Sequence, residues 1–206
     1  MINNIELIIF DLDGVLINSK SNMKIAWSDV RKKFNIKNKF SEYFKYIGYP
    51  FIEILHKLSI KKNHKEIQKI YYKASINNLN NINVYKNVKN VLNIFKRKKI
   101  KMAIVTSKNK NRTMKLVRKL KFPIQNIVCP SKFIKGKPHP DQINIALKRS
   151  RINRKNVAYV GDMKVDFLLS KNAKIKFIFA NYGYGKNQNY KYNISDFKDL
   201  IKILKI

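Results

Sequence analysis

Five short apolar runs alternate along the chain with segments of helical periodicity, and this alternation is the feature that most restricts the fold. Strands that alternate with helices predict a parallel α/β sheet. The strands of such a sheet are covered on both faces, so they are typically continuous apolar runs. We therefore predict an α/β fold with a doubly wound, Rossmann-like parallel sheet as its core. The predicted strands are residues 5–10, 101–107, 124–130, 156–162 and 174–180.

Two segments between these strands carry clear helical signals. Four apolar residues within 88–95 recur at the i, i+3, i+4 and i+7 spacing of one helix face. Asp141 is expected to cap a helix over residues 142–150, because its side chain can accept hydrogen bonds from the free amides of the first turn.

The stretch from Ser19 to Asn83 breaks the alternation, because it has helix-like segments and lacks a convincing strand. We interpret it as a helical insertion after the first strand, with the Asn-rich residues 76–83 leading back into the core. The predicted organisation is a core made of residues 1–18 and 84–206 with a helical domain over residues 19–83.

The chain carries 45 Lys and Arg residues against 12 Asp and Glu, which gives a formal net charge of +33. Clustered basic residues would favour nucleic-acid binding, because they neutralise phosphates. Here they are spread along the whole chain, with runs no longer than residues 31–33 and 96–99. Lys, Ile and Asn, which codons of A and T alone can encode, are all abundant. The charge therefore suggests codon bias, and we expect a solvated surface rather than a nucleic-acid interface.

A chain of 206 residues is long enough for one domain with an insertion. Its single cysteine, Cys129, excludes an intrachain disulfide and is interpreted as a buried strand residue in a reducing compartment. Apolar runs stay well short of the roughly 18 residues of a membrane span, and no targeting segment is visible. We expect a soluble, cytoplasmic protein.

The scarce acidic residues are clustered. Four of the 12 lie in two short segments that each follow a predicted strand, and other polar residues follow two more strands. Because ligands of parallel α/β sheets bind at the carboxyl ends of the strands, we expect these side chains to meet at one edge. They are Asp11 and Asp13 after the first strand, Thr106 and Ser107 at the end of the second, Lys137 after the third, and Asp162 and Asp166 after the fourth.

A pair of aspartates one residue apart is weak evidence alone, because it also occurs in loops, at helix caps and in unrelated metal sites. In this chain it belongs to a series of motifs that resembles the haloacid dehalogenase superfamily over nearly the whole chain, and specifically its phosphatases of the phosphoglycolate phosphatase type. The stretches that carry the resemblance are DLDGVLINS (11–19), IGYPFIEIL (47–55), VYKNVKNVL (84–92), AIVTSK (103–108), GKPHPDQINIAL (136–147), YVGDMKVD (159–166) and NYGYG (181–185).

The resemblance implies a phosphatase that works through a covalent intermediate. Asp11 would attack phosphorus and form an aspartyl-phosphate, and Asp13 would protonate the leaving oxygen and then deprotonate the attacking water. Residues i and i+2 of an extended segment face the same side, so both carboxylates can reach one phosphoryl group while Leu12 faces away.

The resemblance also implies a Mg²⁺ cofactor held by Asp11, the backbone carbonyl of Asp13 and Asp162. Asp166 would serve as a further ligand or as a partner of a ligand. The phosphate would be bound by Lys137, which also keeps Asp11 ionised, and by the end of the second strand at Thr106 and Ser107.

We therefore expect a Mg²⁺-dependent phosphatase for a small phosphorylated metabolite, with phosphoglycolate as the leading substrate. A sugar phosphomutase of the same fold and a nucleic-acid-associated basic protein are the alternatives. Asn18 departs from the Asp that is common at this place in similar proteins, and the insertion is unusually Lys-rich, which leaves the substrate open. Asp13 argues against halide chemistry, because the dehalogenases of the superfamily lack an acid there.

Overall fold

The computed structural model describes residues 1–185 and 189–206, which contain one six-stranded and one two-stranded sheet. The strands are β1 (Leu7–Phe10), β2 (Ile17–Asn18), β3 (Asn83–Val84), β4 (Lys101–Val105), β5 (Asn126–Val128), β6 (Val157–Gly161), β7 (Lys176–Ala180) and β8 (Asn193–Ile194). Neighbouring strands of the larger sheet run parallel, in the order β5-β4-β1-β6-β7-β8. Because the order reverses direction at β1, the sheet is doubly wound and the predicted fold class is confirmed.

Strand β1 is apolar at every position because it lies inside the sheet and both of its faces are buried. Side chains of a strand point alternately to opposite faces. Leu7 and Ile9 belong to the apolar cluster on one face of the sheet, and Ile8 and Phe10 belong to the cluster on the other. All four are fully buried, so each face of β1 is covered by packed side chains.

Helices cover the sheet, and four of them, α1 to α4, form the helical segment between β2 and β3. They are α1 (Lys20–Phe34), α2 (Phe40–Phe44), α3 (Phe51–Lys57), α4 (His64–Asn77), α5 (Val88–Arg97), α6 (Lys110–Leu120), α7 (Asp141–Ser150), α8 (Lys164–Asn172) and α9 (Asp199–Ile203). Helix α5 buries the four apolar residues whose spacing predicted it. Among the helices of the described residues, none combines the length and the apolar character that crossing a membrane requires.

Helices α1 to α4 have an apolar cluster of their own. Its centre is Trp27, which stacks on Tyr43 with 4.5 Å between ring centroids, and Phe51 is also buried there. Asn22 joins the two long helices, because its side chain donates to the carbonyl oxygens of Ser75 and Asn78 at 2.9 and 2.8 Å. These contacts hold α1 to α4 together beside the sheet.

The two ends of this helical segment meet in a short antiparallel pair that the sequence did not predict. Ile17 pairs with Val84 and Asn18 with Asn83, so the chain leaves and re-enters the core at one point. Strands of two residues are too short to show a period in the sequence, which is also why β8 escaped prediction.

The predicted cap of α7 is wrong. The helix begins at Asp141 itself, with Pro140 as the preceding N-cap residue, so the carboxylate is inside the first turn. Its Oδ2 instead accepts a hydrogen bond from the backbone amide of Lys135 at 3.2 Å, which ties the preceding loop to the helix. The predicted strands also proved too long at their ends, as β5 shows with three residues against seven predicted.

Candidate active site

Asp11 and Asp13 lie at the carboxyl end of the central strand. The backbone amide of Asp11 continues the sheet by donating to the carbonyl oxygen of Val160 at 2.9 Å. Leu12 turns into the apolar core, whereas both aspartates line one cavity, as the alternation of an extended segment predicts. Gly14 follows with φ at +91°, and a side chain there would overlap the carboxylate of Asp162. The turn after β1 thus needs glycine to bring the two acidic segments together.

Lys137 connects two of the acids. Its Nζ lies 2.7 Å from Oδ1 of Asp11 and 2.7 Å from Oδ1 of Asp166, and the side chain is fully buried. Burial alone would lower the pKa of Lys137, but the two carboxylates outweigh burial and raise it. Lys137 therefore stays charged and supplies a fixed positive charge beside Asp11.

Three buried carboxylates converge at this place. Asp11, Asp162 and Asp166 each offer an oxygen, and these oxygens lie within 4.8 Å of one another. Burial raises the pKa of Asp11 to about 7, with Lys137 opposing it, and burial together with Asp166 and Asp11 raises the pKa of Asp162 well above its usual value. Three carboxylates ionised together at this place would carry more negative charge than Lys137 alone neutralises, so ionisation of all three requires a further cation.

Asp162 has an oxygen that suits a cation. Its Oδ2 accepts from the backbone amide of Tyr184 at 2.6 Å, whereas its buried Oδ1 has no hydrogen-bond partner among the described residues. Such an atom is costly unless something satisfies it. A hard cation that prefers oxygen ligands, such as Mg²⁺, fits an unsatisfied carboxylate oxygen within a buried acidic group.

Asp166 has a different environment, because both of its oxygens are already engaged. Oδ1 accepts from Lys137 and from the hydroxyl of Tyr159 at 3.0 Å. Oδ2 accepts from the backbone amides of Asp162 and Met163 at 3.2 and 3.0 Å. This set of donors favours a positioning role, in which Asp166 holds Lys137 and the loop that carries Asp162, over direct coordination.

Asp13 is held by two residues, neither of which was among the predicted site residues. The hydroxyl of Ser19 donates to its Oδ1, and Nζ of Lys108 lies 3.1 Å from its Oδ2. Lys108 is buried, and burial lowers its pKa although the charge of Asp13 opposes that effect. The position of Lys108 directly after Thr106 and Ser107 could have marked it as a site residue. Because lysines are abundant throughout the chain, that position alone did not distinguish it.

Thr106 and Ser107 both line the cavity, and their polar atoms have different partners. The backbone carbonyl of Thr106 accepts from the side chain of Gln142 at 2.9 Å, which fixes the end of β4. The hydroxyl of Ser107 donates to the carbonyl oxygen of Gly48 at 2.5 Å, so this residue fastens the sheet edge to the helical segment. The structure thus brings all seven predicted residues to one edge of the sheet.

The cavity is enclosed from two sides and has a volume of about 50 Å³. The sheet edge supplies the charged residues, and the helical segment supplies aromatic ones, including Tyr43 and Tyr71, whose hydroxyls are 2.9 Å apart. Burial raises the pKa of Tyr71 to about 12, so both partners of this hydrogen bond are neutral at ordinary pH. Arg112, on α6, also lines the cavity, and no sequence motif singled it out.

The family model of the haloacid dehalogenase-like hydrolases matches residues 8–180. The chain belongs to this family. The resemblance that the motifs carry is therefore confirmed, and the acids after β1 and β6 lie within the matched region of a hydrolase.

Two relatives align with this chain over nearly its whole length and nearly their own. The chain is 23% identical over 209 residues to pyrophosphatase PpaX of Oceanobacillus iheyensis, covering 98% of this chain and 97% of the relative. It is 26% identical over 204 residues to phosphoglycolate phosphatase of Aquifex aeolicus, covering 96% of each.

Solved structures share the fold. A hydrolase from Pseudomonas syringae superposes with a TM-score of 0.83 at 21% identity, covering 95% of each chain. CbbY from Rhodobacter sphaeroides in complex with phosphate superposes with a TM-score of 0.84 at 15% identity, covering 98% of this chain and 100% of that one.

Proposed function

We propose that this hydrolase is a Mg²⁺-dependent phosphatase that cleaves a small phosphorylated metabolite through an aspartyl-phosphate on Asp11. The observation that carries the proposal is the pairing of Asp11 with Lys137 at the end of β1, in one cavity with Asp13 and Thr106. A carboxylate, a second carboxylate, a fixed ammonium group and a hydroxyl are the groups that phosphoryl transfer through an acyl-phosphate needs. We propose phosphoglycolate as the leading substrate.

In the first step an oxygen of Asp11 bonds to phosphorus as the ester oxygen leaves. Asp13 gives its proton to that leaving oxygen, and it then takes a proton from the water that attacks the aspartyl-phosphate. Ser19 and Lys108 hold the Asp13 side chain in one orientation, because they contact both of its oxygens. Lys137 and the hydroxyl of Thr106 would bind the phosphoryl oxygens.

The residues that would hold Mg²⁺ are Asp11, Asp162 and the backbone carbonyl of Asp13. Two observations support this assignment: Oδ1 of Asp162 has no hydrogen-bond partner among the described residues, and three buried carboxylates converge there. When bound, Mg²⁺ would offset the repulsion between the Asp11 carboxylate and the phosphate dianion. Asp166 would keep Lys137 and the Asp162 loop in position, which its four hydrogen-bond donors support.

We further propose that residues 19–83 are a cap domain on a core of residues 1–18 and 84–206. The separate apolar cluster of α1 to α4 and the β2–β3 pair at the ends of the segment support these boundaries. Since this segment covers the cavity, which is small, the substrate is expected to be a small metabolite. The buried Cys129 agrees with a cytoplasmic, reducing compartment.

A phosphate-release screen over small phosphorylated metabolites tests the proposal. With Mg²⁺ present, at least one small phosphate ester or anhydride should release inorganic phosphate, and the same preparation of Asp11→Asn should release almost none. The exposed Asp29→Asn variant is the matched control and should keep wild-type turnover. Isomerisation of a sugar phosphate without free phosphate would contradict the proposal and support a phosphomutase.

A further inference from the structure

Arg112 is a buried cation that has no counter-ion in the described part of the chain, and it lies in the cavity that contains Asp11. Its side chain lines this cavity, and the residue is only 5% exposed. The ion pairs found within residues 1–185 and 189–206 are all made by Lys108 or Lys137. The Nε of Arg112 is also buried without a hydrogen-bond partner in that part of the chain. A buried charge in this state is costly unless a ligand compensates it.

The guanidinium group is nevertheless held firmly in one orientation. Its Nη2 donates to the hydroxyl of Ser75 at 2.5 Å, and that hydroxyl donates to Oδ1 of Asn22 at 2.6 Å. The rings of Tyr72 and Tyr71 lie against it, with 4.8 and 5.3 Å from the guanidinium carbon to the ring centroids. Such stacking stabilises a cation and fixes its plane. Arg112 is therefore preorganised, with donor capacity left unused.

The two lysines of the cavity each pair with a different carboxylate. Lys137 pairs with Asp11, the proposed nucleophile, and Lys108 pairs with Asp13, the proposed acid at the leaving oxygen. Arg112 pairs with neither carboxylate and contacts the helical segment instead, because its guanidinium group lies against Tyr71 and Tyr72 and donates to Ser75, all on α4. Arg112 thus borders the same cavity as both carboxylates, on the side that the helical segment forms.

We propose that Arg112 binds a second anionic group on the substrate, so that the substrate is a small phosphate ester or anhydride whose leaving group carries its own carboxylate or phosphate. This inference rests on the proposed function and names the residue that selects the substrate. The anion would supply the missing counter-charge and accept from the free Nε, in the planar geometry that a guanidinium group offers to oxyanions. A neutral leaving group would leave the buried charge uncompensated and is rejected for that reason.

The test compares substrates that differ in the second anion. Phosphoglycolate carries a carboxylate, pyrophosphate a phosphate, and ethyl phosphate neither. For the wild type, kcat/KM for phosphoglycolate or for pyrophosphate should exceed that for ethyl phosphate by at least about 10-fold, a difference typical of hydrogen bonds to charged groups. The favoured substrate tells whether the second anion is a carboxylate or a phosphate.

Substitution then assigns the preference to one residue. In Arg112→Gln the ratio of kcat/KM for the favoured substrate over ethyl phosphate should fall by about 10- to 100-fold. Arg118→Gln removes the same charge from an exposed place on the same helix and should keep the wild-type ratio. A ratio is used because partial unfolding lowers its two terms equally.

Two results would overturn the inference. One is a wild-type ratio below about threefold for both anionic substrates, which decides the matter even if Arg112→Gln does not fold. The other is an Arg112→Gln ratio equal to the wild-type ratio, since Arg112 would then only fasten α6 to α4 through Ser75. Failure of the proposed function looks different, because then the wild type would release no phosphate from any of the three substrates.

Discussion

Lys137 and Asp166 form an ion pair in which neither side chain is exposed, with 2.7 Å between Nζ and Oδ1. Lys137 reaches Asp11 at the same distance on its other side. Asp166 thus fixes the ammonium group from behind while its second oxygen holds the backbone of the Asp162 loop. The position of the charge beside Asp11 depends on an acid that is itself fully hydrogen-bonded.

Replacing Asp166 with Asn should therefore weaken both stability and turnover. Asn cannot keep the ion pair with Lys137, and its amide cannot accept on both sides. We expect a loss of about 1–3 kcal/mol in the free energy of unfolding and a kcat lower by about 10- to 100-fold. Urea unfolding and steady-state kinetics measure the two effects. Wild-type values of both would show that Asp166 does not position Lys137.

Removal of Mg²⁺ should abolish phosphatase turnover. An excess of EDTA leaves the carboxylates of Asp11 and Asp162 to repel the phosphate dianion, so turnover should cease and should return with Mg²⁺. Ca²⁺ should inhibit, because its looser and higher coordination displaces the Asp11 carboxylate. Turnover that continues undiminished in excess chelator would contradict the metal assignment.

Much of this arrangement could be predicted from the sequence, because it depends on local patterns. The run Leu7–Phe10 is apolar at each position since both faces of β1 are covered, and that signal is visible without a structure. Because Asp11 and Asp13 come directly after this run, they were expected at the carboxyl edge of the sheet, where parallel sheets bind ligands. The core strands and the acidic residues at their carboxyl ends could therefore be located from the sequence.

The remaining features depend on tertiary contacts. Lys108 and Arg112 are distinguished from the other basic residues only by burial and by their partners, neither of which leaves a local pattern. The pairing of Ile17 with Val84 joins residues that are far apart in the chain. Asp141 was misplaced because an Asp before an amphipathic run is typical both of an N-cap and of the first helical turn.

The single cysteine should be unreactive in the folded protein. Burial raises the pKa of the Cys129 thiol, so at pH 8 the folded chain has less thiolate than an unfolded one, and access is also restricted. We expect iodoacetamide to modify the native protein at least about 100-fold more slowly than the urea-unfolded protein, by analogy with local opening free energies. The two rates are measured by mass spectrometry. Native and unfolded rates within about threefold of each other would contradict the burial of Cys129.

The net charge of +33 should act on substrate encounter rather than on chemistry. A positive surface attracts a dianionic substrate, and the effect weakens as salt shortens the Debye length from about 10 Å at 0.1 M to about 3 Å at 1 M. We expect kcat/KM to fall by about tenfold over this range at fixed Mg²⁺ while kcat changes little. If kcat/KM stays constant although capture limits the rate, the charge has no kinetic role. Tight binding of DNA or RNA at physiological salt would instead favour a nucleic-acid partner.

In the proposed mechanism the Asp11 carboxylate bonds to phosphorus, and trapping this bond is the sharpest test of that step. The wild type is mixed with Mg²⁺ and the best substrate of the screen, quenched in acid within one turnover, digested and examined by mass spectrometry. We expect one added phosphoryl group on the peptide that contains Asp11, and neither this adduct nor phosphate release in Asp11→Asn. Turnover of Asp11→Asn within about tenfold of the wild type, or a phosphorylated peptide elsewhere in the chain, would contradict the mechanism.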